Sequence, residues 1–63
     1  MDLDSIRKAM RAAMRKHGTQ KTALEFDIPR NTLTTFAAGG PQRQGTVMLI
    51  VSKAPDALAA LGF

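Results

Sequence analysis

The stretch Thr19-Gln20-Lys21-Thr22-Ala23-Leu24-Glu25-Phe26-Asp27-Ile28-Pro29-Arg30-Asn31-Thr32-Leu33-Thr34-Thr35-Phe36-Ala37-Ala38 decides how this chain folds. Thr19 is a good helix N-cap, and Gln20 to Phe26 supplies about two helical turns before Asp27 interrupts. Pro29 suits the start of a new helix, where its missing N–H has no partner to lose. A second short helix therefore starts at Pro29 or Arg30 and runs to Ala38, with Leu33 and Phe36 turned inward. Gly39-Gly40-Pro41 ends it. Ala23 is small where the two helices cross, and Phe26, Ile28, Leu33 and Phe36 are spaced to share one core.

Upstream, residues 3–17 read as an amphipathic helix, because Leu3, Ile6, Met10, Ala13, Met14 and His17 recur at intervals of three and four and gather on one face. Gly18 stops it. Arg7, Lys8, Arg11 and Arg15 fall on an adjacent flank, as a solvated face or as phosphate contacts. Asp2 and Asp4 stand where a helix N-terminus favours negative charge. Downstream, Thr46-Val47-Met48-Leu49-Ile50-Val51 has the β-branched character of a buried strand as well as a helical pattern. A lone strand would have no partner in this chain, so a helix from Gly45 to Lys53 is favoured, with Val47, Ile50, Val51 and Ala54 inward. Pro55 or Asp56 then opens a last short helix that Gly62 closes. The expected fold is all-α, a compact bundle of four to five short helices in one domain spanning residues 1–63.

A chain of 63 residues buries only roughly 60 % of the surface its unfolded form exposes. It has no cysteine, so neither disulfides nor thiolate metal sites reinforce it. Tight helix packing or self-association must do so. No apolar run approaches the roughly 18 residues of a membrane span, and the acidic N-terminus is unlike a secretory signal. One His, five carboxylates and no Cys, Trp or Tyr leave few parts for catalysis, so an enzyme is not expected. His17 has no second ligand nearby in sequence and is expected to pack; neither metal nor cofactor is expected. Met10, Met14 and Met48 are expected to fill core or interface.

Charge is unevenly placed. Between Arg7 and Arg43 stand eight of the nine cations against Glu25 and Asp27 alone, a net +6 within a chain of +4. A basic field of this kind favours an anionic partner, with nucleic acid first, because phosphate neutralisation supplies sequence-independent affinity.

Two short helices joined by a three- to four-residue turn are the sequence form of a helix-turn-helix. Gly18-Thr19-Gln20-Lys21-Thr22-Ala23 and the later Ile28-x-x-x-x-Leu33 resemble the lambda-repressor-like helix-turn-helix family, which includes the phage Cro and repressor proteins. Gly39-Gly40-Pro41 and Gly45-Thr46-Val47-x-x-Ile50 look like that family's Gly-rich loop and following helix. Asp27 departs from the family's usual turn Gly, although Asp tolerates a left-handed backbone better than most residues. Thr22 stands where an apolar residue is usual. In size and arrangement the chain also loosely resembles anti-CRISPR-associated autorepressors.

The resemblance implies a second helix lying in the major groove with its N-terminal residues at the base edges. Arg30, Asn31, Thr34 and Thr35 are then the base readers: Arg pairs with guanine, Asn with adenine, and a Thr methyl meets the thymine methyl. Thr32 reads or supports the helix start. Thr19, Gln20 and Lys21, with Arg43 in the loop beyond, are expected at phosphates. Met48, Leu49, Leu58, Leu61 and Phe63 are left as apolar excess, the candidate interface of a homodimer.

The expected function is a dimeric, sequence-specific transcription regulator, a repressor of a phage or mobile-element promoter. It would bind an inverted repeat in double-stranded DNA, act in the cytoplasm at the nucleoid, and need no small-molecule ligand or membrane. Two alternatives stand beside it: an architectural or recombination-directing DNA binder, and an antitoxin-like protein-interaction module.

Overall fold

Four helices make up the protein, in a computed structural model that describes residues 2–63. They are α1 (Leu3–His17), α2 (Thr19–Phe26), α3 (Arg30–Ala37) and α4 (Gln44–Ala60). No strand occurs among the described residues, so Thr46–Val51 is helical. Among the described residues no helix is long and apolar enough to cross a membrane. The body measures 26 × 21 × 18 Å.

The α1 helix begins at Asp2, whose carboxylate accepts the Ser5 N–H at 2.7 Å and satisfies one of the donors a helix start leaves open. Its face Ile6, Met10 and Ala13 is buried, with Met14 packed at the edge; Leu3, expected inward, is exposed. Gly18 joins α1 to α2 in a single residue at φ 92 and ψ 157, a region that only glycine enters without strain. Gly18, and not Thr19, is the N-cap of α2. Its carbonyl accepts both the N–H and the hydroxyl of Thr22, at 3.3 and 2.9 Å. That bond explains a fully buried Thr at a position where an apolar residue was expected.

The α2 helix ends on Asp27 at φ 58 and ψ 44, the left-handed conformation anticipated from the sequence. The Ile28 N–H reaches back to the Ala23 carbonyl and the Asp27 N–H to that of Leu24, each at 3.1 Å. This is a Schellman closure, and it recurs after α3 (Gly40 to Thr35, Gly39 to Phe36) and after α4 (Phe63 to Leu58, Gly62 to Ala59). Pro29 is the N-cap of α3, which therefore starts at Arg30 and stops one residue short of Ala38.

The α4 helix corrects two expectations. It runs unbroken through Pro55, where the sequence reading opened a separate fifth helix. Pro55 removes the bond to the Val51 carbonyl, but both residues lie on the exposed side, where water can take that carbonyl, and Ile50, Ala54, Ala57 and Leu58 hold the opposite side in the core. Val51, expected inward, is exposed. Leu58 and Leu61, expected at a dimer interface, are 3 % and 1 % exposed and pack with Phe26, Leu33 and Phe36 in the intramolecular core. The added turns of α4 bring them round to the buried face.

Candidate nucleic-acid interface

Burying Leu33, Phe36 and Ala37 leaves the other side of α3 to solvent, and Arg30, Asn31, Thr34 and Thr35 are all exposed there. These positions recur one helical turn apart and form one stripe along the eight-residue helix. Asn31 Oδ1 accepts the Thr32 N–H at 3.0 Å, which leaves its amide N–H groups and a second lone pair free to pair outward. Thr34 donates its hydroxyl to the Asn31 carbonyl at 3.0 Å and presents its methyl and remaining lone pairs. Thr32 is half-buried, and its N–H closes the helix start.

Both short helices begin without a side-chain cap and without an acid in the first turn. Their first N–H groups carry the positive end of the helix dipole, with the Thr32 N–H of α3 already taken by Asn31 Oδ1. Gln20 and Lys21 are exposed at the start of α2, and Thr19 is half-buried beside them. Arg43 is exposed just before α4. Among the described residues Lys8, Arg15, Lys21, Arg30 and Arg43 pair with no carboxylate. Of the acids, Asp4 meets Arg7 at 3.6 Å, Asp27 meets Lys53 at 3.4 Å, and Glu25 and Asp56 line a cleft with Lys53 between α2 and α4.

The cationic flank of α1 divides. Lys8, Arg11 and Arg15 are exposed and Arg7 is half-buried, but Arg7 and Arg11 also bond α3, at the carbonyls of Phe36 and Ala37, at 3.0 and 2.6 Å. Sequence spacing placed all four on one flank and carried no sign of this division, because the partners stand 26 and 29 residues away.

A second surface lies on α4. Residues 44–52 carry no charge, and Met48, Leu49 and Val51 are 63 %, 47 % and 38 % exposed. Phe63 is half exposed but already has partners: its ring meets the edge of His17 at 6.4 Å, and Lys16 stands 5.7 Å from its centroid. His17 Nε2 also bonds the Leu61 carbonyl at 2.7 Å and so ties α1 to the C-terminus. Leu24 on α2, which the sequence pattern did not single out, is the most exposed large apolar residue among the described residues at 68 %. No family model, curated protein or solved structure matches the chain.

Proposed function

We propose that this protein is a sequence-specific regulator of transcription that binds double-stranded DNA as a homodimer and acts as a repressor at an inverted repeat. The observation that carries the reading is the composition of the α3 surface: four exposed hydrogen-bonding or methyl-bearing side chains, Arg30, Asn31, Thr34 and Thr35, and no acid. Such a helix fits the major groove, where Arg reads guanine O6 and N7 and Asn reads adenine N6 and N7. Thr19, Gln20 and Lys21 at the uncapped start of α2, with Arg43, hold the phosphates. The likeness to lambda-repressor-like proteins supports the same assignment, and a cytoplasmic, nucleoid-bound site of action goes with it.

Met48, Leu49 and Val51 form the dimer surface in this reading, replacing the wider set that included Leu58 and Leu61. An uncharged surface meets its own copy across a two-fold axis without like-charge repulsion, and covering it adds stability that a chain of this size lacks. The exposed apolar residues also favour a second reading, a module that holds a partner protein. Salt separates the two. Fluorescence anisotropy with a labelled duplex gives a steep fall of log K with log salt if the basic surface meets phosphates. Arg30→Ala or Asn31→Ala lowers specific affinity by about 1–3 kcal/mol, while Lys21→Ala weakens all duplexes evenly. Weak, salt-insensitive binding identifies the protein-holding module instead.

A further inference from the structure

We propose that Arg7 and Arg11 are positioning residues: they reach from α1 to the C-terminal carbonyls of α3, fix the far end of the base-facing helix, and are not phosphate contacts. The inference rests on the DNA-binding reading above.

A helix end leaves its last four carbonyls without intrahelical partners. In α3 those of Thr34, Thr35 and Phe36 accept the N–H groups of Ala38, Gly40 and Gly39 at 3.1, 2.9 and 3.0 Å. The Ala37 carbonyl has Arg11 Nη1 at 2.6 Å as its partner among the described residues, and the Phe36 carbonyl takes a second bond from Arg7 Nε at 3.0 Å. The Arg7 guanidinium also lies 4.6 Å from the centroid of the Phe36 ring and 3.6 Å from the Asp4 carboxylate. Two cations thus sit at the negative end of the α3 dipole, each holding a backbone atom of the helix. The opposite end of α3 has no side-chain cap and is the end offered to the bases. The two arginines thus add to the packing of Leu33, Phe36 and Ala37 in setting its angle to the body. Bidentate pairing tolerates little misplacement, so loosening that brace reduces discrimination between sequences. An arginine bonded in this way has its place fixed by the fold even where, as at Arg11, it is exposed, whereas Lys8 and Arg15 on the same helix pair with no carboxylate among the described residues.

The test compares wild type, Arg11→Ala, Arg11→Lys and Lys21→Ala on two probes: a duplex enriched from a random library, and a scrambled duplex of the same composition. Affinities are measured across salt, with circular dichroism as the check on folding. Arg11→Ala is expected to keep the wild-type salt slope while its specific-to-scrambled ratio falls about tenfold, a coupling carried through packed groups. Arg11→Lys keeps an N–H donor within reach of the Ala37 carbonyl and recovers most of that ratio. Lys21→Ala shows the converse, a slope reduced by about 0.9 with the ratio unchanged. An Arg11→Ala protein that loses a slope of about 0.9 has lost a phosphate contact, and that overturns the proposal. Should Arg11→Ala fail to fold, the wild-type complex decides by NMR: an Arg11 guanidinium N–H still bonded to the Ala37 carbonyl on DNA supports the brace, and its loss on binding overturns it. A wild type that fails to distinguish the two duplexes overturns the DNA-reading assignment itself, and the positioning role with it.

Discussion

Gly40 closes on Thr35: its N–H donates to the Thr35 carbonyl at 2.9 Å, and a Cβ on Gly40 would stand 2.7 Å from the Thr35 methyl and 3.1 Å from its carbonyl oxygen. The contact closes the C-terminus of α3 directly beneath one of the four exposed residues of the candidate interface. Gly40→Ala forces the Thr35 side chain to change rotamer or the backbone to part, and the carbonyl contact at 3.1 Å stays whichever way the side chain turns. The expected cost is about 1–3 kcal/mol. Thermal unfolding should show it as a drop of roughly 4–8 °C per kcal/mol. An unchanged midpoint would mean that the loop yields freely at this point.

The buried and exposed apolar residues of the C-terminal third should behave oppositely. Leu61→Ala removes a core side chain and should cost about 2–5 kcal/mol, enough to unfold much of a domain this small. Met48→Glu changes a side chain that is 63 % exposed. It should leave the monomer's helicity intact while sedimentation shows the loss of self-association. A Met48→Glu protein that still sediments as a dimer removes α4 from the interface.

Asp27 occupies a left-handed position at φ 58, and its ion pair to Lys53 at 3.4 Å is on the surface. Exposed pairs of this kind contribute little. Relief of backbone strain therefore outweighs the lost pair, and Asp27→Gly should stabilise by about 0.5–1 kcal/mol. Asp27→Ala, which keeps the strain and loses the polar side chain, should move the unfolding midpoint downward. The opposite signs are the check, because loss of the ion pair alone lowers both.

The N-cap of α1 gives a pH dependence. The Ser5 N–H bonded to its carboxylate holds Asp2 below its ordinary value of 3.8. A carboxyl whose folded value is depressed stabilises the fold above its unfolded value, and that contribution disappears as pH falls through the folded one. Asp2→Ala should therefore lie below wild type at neutral pH and converge on it in acid. Unfolding midpoints of the two proteins between about pH 7 and pH 2 provide the test; parallel curves would mean that Asp2 caps nothing.

Local pattern made much of this fold legible. The three- and four-residue spacing located α1, Pro29 and Gly39 bounded α3, and Asp27 was readable as a left-handed turn because its side chain permits what most forbid. Pro55 misled, since its usual effect of ending a helix was outweighed by the packing of Ala54, Ala57 and Leu58 on either side of it. The same error placed Leu58 and Leu61 on the surface. The exposed stripe of Arg30, Asn31, Thr34 and Thr35 followed from the burial of Leu33 and Phe36 alone. Nothing local marked Arg7 and Arg11 as partners of α3, because helix-to-helix contacts between distant segments leave no period in the sequence.

Selection from a random duplex library tests the central claim most directly. Immobilised wild-type protein is taken through rounds of binding and amplification, in parallel with Arg30→Ala. The account predicts that wild type enriches an inverted repeat with half-sites about 34 Å apart, one turn of the duplex, and that Arg30→Ala relaxes one position in each half-site. A wild-type pool that stays as random as its input at low and moderate salt would contradict it.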